Sequence, residues 1–184
     1  KPSGDIVAVR RAHTYQGGFV MEPKPGLYEN LVVLDFMSLY PSIIVSKNIS
    51  PSSLNYDQGY KSPDIVDESG RKVNYYFDKK EDFIPNVLRD IIVRRQGIKE
   101  IIKGNKDDNV LRARSYGLKT IANSSYGYYA FFGARWYSRE CASSITAFGR
   151  EFIKVVIKKA EKFGLEVIYA DTDGFAATLN NKNK

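Results

Sequence analysis

Hydrophobic and polar positions alternate with a helical period over much of the second half of the chain. From Ile84, the apolar residues Val87, Leu88, Ile91, Ile92, Ile98, Ile101 and Ile102 recur every three or four positions. That spacing predicts a helix with one packing face and one basic face. Gly97 weakens its middle, and Gly104-Asn105 ends it. Asp107-Asp-Asn109 then offers an N-cap for a second helix over about 110–124. A short join between two helices predicts an antiparallel hairpin that projects from the rest. A third, longer helix is predicted over about 138–163, with Ile145, Phe148, Phe152, Val155 and Val156 inward and Gly164 as its C-terminal stop.

Strand patterns bracket these helices. Leu31-Val-Val-Leu34 is wholly apolar and closes on Asp35, as a buried strand ending at a polar site would. Ser38 to Ile44 opens a helix with Pro41 in its first turn. Near the end, 165–170 reads as a strand, Asp171-Thr-Asp-Gly174 as a tight turn and 175–179 as the returning strand. The stretch through Asn30 is rich in Gly and Pro and predicts loop and short strand, not helix. From Asn48 to Lys80 only short extended pieces are expected. The fold class is therefore α+β, an antiparallel sheet with packed helices and a projecting helical hairpin.

Composition limits the function. A chain of 184 residues, 43% hydrophobic and 27% charged, suffices for one domain or one plus a subdomain. Its 28 basic and 21 acidic side chains give a formal charge of +7, the sign a polyanion-binding surface needs, although solvated lysine faces give the same balance. Cys141 and His13 are the only residues of their kinds. A disulfide within the chain is thereby excluded, His-based relays have almost nothing to work with, and a reducing, cytoplasmic compartment is the natural reading. No apolar run reaches the ~18 residues of a membrane span, and no membrane partner is expected.

Two acidic stretches carry the candidate chemistry. Asp35 ends one strand, and Asp171 and Asp173 lie in a hairpin turn; neighbouring strands would bring these carboxylates together as oxygen ligands for Mg²⁺. Asp173 is the stronger candidate for a shared ligand, with Asp171 alongside. Taken alone, an Asp-Thr-Asp-Gly turn is usually just turn chemistry. On the helical hairpin, Arg95 and Lys99 share one face, and Lys119, Asn123 and Tyr126 form one stripe. Converging cations there would hold a triphosphate, the alternative being a solvated basic face. Tyr40, five residues after Asp35, would pack under a deoxyribose and collide with a 2′-hydroxyl, or else fill the core.

These residues resemble a known family. Asp35-Phe-Met-Ser-Leu-Tyr-Pro-Ser-Ile-Ile44 is similar to motif A of family B DNA polymerases, Lys119-Thr-Ile-Ala-Asn-Ser-Ser-Tyr-Gly127 to motif B and Tyr169-Ala-Asp-Thr-Asp-Gly174 to motif C, in the family's order. Tyr15-Gln-Gly-Gly18 matches its Tyr-x-Gly-Gly segment, and the resemblance is nearest to archaeal replicative members. It implies a DNA-directed DNA polymerase core that joins a dNTP to a primer 3′-hydroxyl with two Mg²⁺ ions, working on DNA at the nucleoid. Asp35, Asp171 and Asp173 would be catalytic, and Asp35, Phe36 (by its carbonyl) and Asp173 would hold metal. Ser38 and Leu39 (by backbone amides), Tyr40, Arg95, Lys99, Lys119 and Asn123 would bind the dNTP, with Tyr40 as the sugar gate. Tyr126 and Gly127 would flank the nascent base pair, and Tyr15, Gly17 and Gly18 would touch primer–template DNA.

The resemblance also implies the organisation. Residues 1–80 would be the first part of the palm, 81–126 the fingers and 127–184 the palm helix with the motif C hairpin, leaving an incomplete palm sheet. Exonuclease and thumb regions would be partners outside this palm and fingers fragment. Gly97, Ser125 and Ala130-Phe131 depart from common family residues without touching the proposed ligands. Two other readings remain open at this level: a nucleic-acid-binding fragment inactive by itself, and another palm-type nucleotidyltransferase, against which Tyr40 argues.

Overall fold

A computed structural model describes residues 2–104 and 107–179. Its centre is a four-stranded antiparallel sheet built from the two ends of the chain. In sequence order the strands are β1 (Val20–Met21), β2 (Leu31–Asp35), β8 (Leu165–Asp171) and β9 (Gly174–Leu179), and in space they run β1-β8-β9-β2. The 24-residue helix α5 (Arg139–Lys162) covers one face. Ile153, Ile157 and Ala160 of that helix meet Val167, Ala170, Phe175 and Ala177 of the sheet. Phe175 and Ala177 keep the in-and-out alternation of a one-sided strand, whereas a register irregularity between Val167 and Tyr169 sets the two inward residues of β8 three positions apart. Ser138 caps α5 by accepting the Cys141 N–H, and Gly164 takes the left-handed conformation (φ 84°) just beyond its end.

A second apolar cluster joins α5 to the hairpin. Helix α2 (Leu39–Ser46) contributes Leu39, Ile43 and Ile44; α3 (Phe83–Gly104) contributes Leu88; α4 (Asn109–Ala130) contributes Ala122 and Tyr129; α5 contributes Cys141, Ala142, Ile145 and Phe148. Burial raises the Cys141 thiol to about 12, so it packs as an inert apolar group. Helices α3 and α4 form the expected antiparallel hairpin, and Asp108 caps α4 by accepting the Leu111 N–H at 2.9 Å. The predicted stop at Asn105 lies outside the described residues. Helix α4 runs on to Ala130, beyond the expected 124, because the buried Tyr129 anchors its last turn.

The connecting region folds as short pieces: β3 (Leu54–Asn55), β4 (Tyr60–Lys61), β5 (Ile65–Val66), β6 (Lys72–Val73) and β7 (Tyr76–Phe77). Asn48 fixes this region to the end of α2. Its Nδ2 donates to the Asp78 and Lys80 carbonyls at 2.7 and 2.6 Å, and its Oδ1 accepts the Asp82 N–H at 3.0 Å. Its left-handed backbone (φ 51°) suits Asn better than most residues.

Three expectations are corrected. The opening segment contains a helix, α1 (Gly4–Ala12), with Asp5 in its first turn and Arg10 and Arg11 in its last, charges that complement the helix dipole. None of its residues is buried, Ile6 and Val9 being exposed, and it is tethered by Arg10 donating to the Phe132 and Ala134 carbonyls. Strand β2, expected to be buried, pairs with β9 but is exposed along its whole length, Val33 by 69%, at the sheet's edge. Val155, expected inward on α5, is exposed; the inward stripe runs instead through Ile153 and Ile157. Among the described residues no helix is long and apolar enough to cross a membrane.

Replacing Asn48 by Ala should destabilise the fold by about 1–3 kcal/mol, because the alanine leaves buried polar partners unsatisfied. Equilibrium denaturation of the variant against the wild type measures it.

Candidate active site

Antiparallel pairing creates the site. Strands β2 and β9 register Leu34 with Phe175 and Asp35 with Gly174, so Asp35 stands beside the two-residue turn Thr172-Asp173 that links β8 to β9. A Cβ at Gly174 would lie only 3.3 Å from Asp35 Oδ1, which explains a glycine beside the carboxylate. Thr172 adopts φ 53°, an unusual conformation for a β-branched residue that persists only where its surroundings impose it. Three hydrogen bonds do so: Thr172 N–H donates to the Phe19 carbonyl at 2.7 Å, Phe36 N–H to the Asp173 carbonyl at 2.7 Å, and Thr172 Oγ1 to Asp171 Oδ1 at 2.8 Å.

Asp35 and Asp173 open into a cleft of about 470 Å³. Its lining unites Phe36, Ser38, Leu39, Tyr40, Arg95, Lys99, Lys119 and Asn123 with the two acids. Ten of the residues singled out from sequence thus converge, although 138 positions separate the two carboxylates (173 minus 35). The Asp173 carboxyl titrates above the ordinary carboxylate range, first because it is partly desolvated and next because Asp35 repels its charge; Lys119 opposes the rise. A partly desolvated carboxylate with a second acid beside it, at a polar cleft, fits a hard divalent cation such as Mg²⁺, whose charge would relieve both causes of the Asp173 rise. Among the described residues no group of three His, Cys, Asp or Glu side chains forms a metal cluster, so further ligands would be backbone oxygen, water or substrate.

The cationic wall comes from the hairpin. Arg95 approaches Ser38 Oγ at 3.4 Å, while its buried Nε has no hydrogen-bond partner. Among the described residues, Arg95, Lys99 and Lys119 make no ion pair within the chain, whereas six other Lys and Arg side chains do. A desolvated, unpaired donor beside unpaired ammonium groups fits an anionic ligand. Ser38, in the left-handed region with φ 58°, turns the chain so that α2 begins at Leu39. The first backbone amides of α2, left without intrahelical partners, therefore lie at the cleft.

Other sequence candidates lie behind or beside the cleft. Tyr126 packs on Tyr40, ring centroids 4.6 Å apart, and its hydroxyl lies 3.0 Å from that of Tyr15. Burial, with Tyr126 and Asp173 nearby, lifts the Tyr40 phenol to about 12; burial likewise raises Tyr15. Gly17 and Gly18 are held against α5: buried Arg150 donates to the Gln16 and Gly17 carbonyls at 2.9 and 2.7 Å, and Thr146 Oγ1 to Gln16 at 2.8 Å. Like Tyr15, Gly17, Gly18 and Tyr126, the candidates Asp171 and Gly127 do not join the cleft lining. Asp171 accepts from Thr172 outside it, and Gly127 is exposed on α4. Residues two apart on a strand share a face, so sequence spacing groups the two acids, whereas Asp171 closes β8 and Asp173 follows the left-handed turn at Thr172.

Sequence reasoning overlooked Thr172, Met37, Pro41 and Arg150. The first three line the cleft, and all but Arg150 sit inside motifs already singled out. Arg150 had one signal, a lone charge on the apolar side of a predicted helix.

Similarity to known proteins agrees with this geometry. The model of DNA polymerase family B matches residues 5–184. A DNA polymerase from Thermococcus sp. (strain 9oN-7) is 48% identical over 174 residues, and one from Desulfurococcus sp. (strain Tok) 46% over the same length; each comparison covers 92% of this chain and 22% of the relative. The chain therefore spans about a fifth of the length of these relatives. The solved structure of the family B DNA polymerase from the hyperthermophilic archaeon Pyrobaculum calidifontis matches with a TM-score of 0.69 and 36% identity, over 90% of this chain and 22% of that one. With sequence, fold and cleft in agreement across nearly all its length, this chain belongs to DNA polymerase family B.

Proposed function

We propose that this chain carries the catalytic centre of a DNA-directed DNA polymerase, transferring a nucleotidyl group from a dNTP to a primer 3′-hydroxyl. The observation that carries the reading is the single cleft in which Asp35 and Asp173 face Arg95, Lys99, Lys119 and Asn123, with Tyr40 at its edge. Asp35, Asp173 and the Phe36 carbonyl would hold two Mg²⁺ ions, which when bound supply Lewis-acid polarisation of phosphate oxygens and neutralise developing charge. Arg95, Lys99 and Lys119 bind the triphosphate and offset the charge that accumulates on the leaving pyrophosphate. Asn123 adds a neutral hydrogen-bonding group, and the Ser38 and Leu39 amides add backbone donors. Asp171 supports the turn that presents Asp173.

Tyr40 closes the sugar side of the cleft and excludes a 2′-hydroxyl. Tyr126 backs that ring and, with Gly127, borders the nascent base pair. Tyr15, Gly17 and Gly18 contact primer–template DNA. In this reading residues 1–80 and 127–184 form the palm, with helix α4 running from the 81–126 fingers hairpin into it. Most of the relatives' length lies outside the matched stretch, and exonuclease and thumb regions belong to such parts of a polymerase that acts at the nucleoid.

Three outcomes test the reading in a polymerase carrying this segment. Primer extension should fall on the order of 10³-fold or more in Asp173→Asn, as when a charge-stabilising group is removed from a reacting centre. Lys119→Ala should raise the KM for dNTP about 10–100-fold, the worth of one charge-assisted hydrogen bond. Tyr40→Ala should raise ribonucleotide incorporation, and unchanged discrimination would remove Tyr40 from the gate role.

The raised Asp173 pKa gives a test independent of turnover. Its folded-state pKa exceeds the unfolded one, so the ionised carboxylate costs stability above the folded pKa, and the cost disappears as pH falls below the unfolded value. Metal-free Asp173→Asn should therefore melt higher than wild type at pH 7, and the difference should close on acidification through the carboxylate range. Mg²⁺ should raise the melting temperature of the wild type more than that of the variant, as thermal melts at several pH values would register.

A further inference from the structure

Gly149 lies in the middle of α5, the longest helix, and is buried. Glycine is among the least favourable residues for a helix interior, so a mid-helix glycine on a packed face calls for a local reason. The reason is Tyr40. A Cβ at position 149 would stand 2.9 Å from Tyr40 Cε1, 3.7 Å from Tyr40 Cδ1 and 3.6 Å from Leu39 Cδ2. The first distance is shorter than side-chain carbons tolerate.

The ring is confined elsewhere as well. A Cβ at Gly18 would lie 3.1 Å from the Tyr40 hydroxyl and 2.7 Å from Thr172 Oγ1. Tyr126 packs against the ring at 4.6 Å and is itself fixed by its 3.0 Å hydroxyl contact with Tyr15. Gly18 is held in turn through the Gly17 carbonyl, which accepts from Arg150 one helical turn along from Thr146. Helix α5, the 16–18 segment and Tyr126 thus occupy three sides of the ring, and the cleft lies on another.

We infer that Gly149 is a specificity-determining positioning residue: by omitting a side chain behind Tyr40, it sets how far the ring stands into the nucleotide cleft. The inference rests on the reading of Tyr40 as the sugar gate. Tyr40 cannot yield toward α5, toward Gly18 or through Tyr126, so added bulk at 149 moves the ring into the cleft. The space for the sugar narrows, for deoxyribose and more so for ribose. Interior close packing makes even one methyl group felt at such a position.

The test is a double-mutant cycle of G149A and Y40A in a family B polymerase carrying this segment, read by steady-state primer extension with dNTP and with rNTP, beside thermal melts. G149A alone should raise the KM for dNTP several-fold, with kcat changed much less, and should lower the rNTP-to-dNTP efficiency ratio. In the Y40A background the same substitution should leave both quantities unchanged, because the opposing ring is gone. A KM rise that persists without the ring, or an unaltered KM in folded G149A, overturns the inference. Should G149A unfold the protein, recovery of the folded state in the double variant supports it, and unfolding of both variants overturns it. The gate reading stands or falls separately on whether Y40A by itself raises ribonucleotide incorporation.

Discussion

The antiparallel register of β2 against β9 is the constraint on which the site depends. It places Asp35 opposite Gly174 and hence beside Asp173, whose ionisation the Asp35 charge makes more costly. The sheet can impose that proximity because each strand is tied on both sides of the acid, β2 by its ladder and the turn by the Phe36 and Thr172 amides. A one-residue slip would turn Asp35 to the opposite face of the sheet. Backbone pairing, and not attraction between the functional groups, therefore holds the acidic half of the cleft together.

The cationic half depends on packing of another kind. Helices α3 and α4 are joined to α2 and α5, and through them to the sheet, by way of Leu39, Ile43, Ile44, Leu88, Ile145 and Phe148. That core fixes where the hairpin roots and so brings Arg95 and Lys119 over the acids. A hairpin attached by one cluster at its base, with most of its length outside that core, has fewer buried contacts to resist movement than the sheet has. The geometry thus combines a rigid acidic floor with a less restrained cationic wall.

Much of this was legible in the chain because the patterns are local. The three-and-four spacing from Ile84 to Ile102 specified α3; Ser138 and Gly164 marked both ends of α5; and Asp171-Thr-Asp-Gly174 specified a hairpin turn. The failures also have physical causes. Helix α1 buries no residue, so no packed face stands out in its sequence. The apolar run of β2 has the composition of a buried strand, yet burial depends on what lies across the sheet, and there its side chains are exposed. Asn48 stabilises through side-chain bonds to backbone some thirty residues away, a partnership no local pattern encodes.

The candidate site divides in the same way. By itself, the sequence determined which chemical groups were available, namely acids closing apolar runs, cations spaced on one helical face and an aromatic ring near the first acid, since those depend on residue type and short spacing. Only the tertiary structure decided which of them meet. It brought Asp35 to Asp173 and left Asp171 outside, and it set Gly149 and Gly18 behind Tyr40. Contacts between residues more than a hundred positions apart follow from strand register and helix packing, and these are properties of the assembled chain.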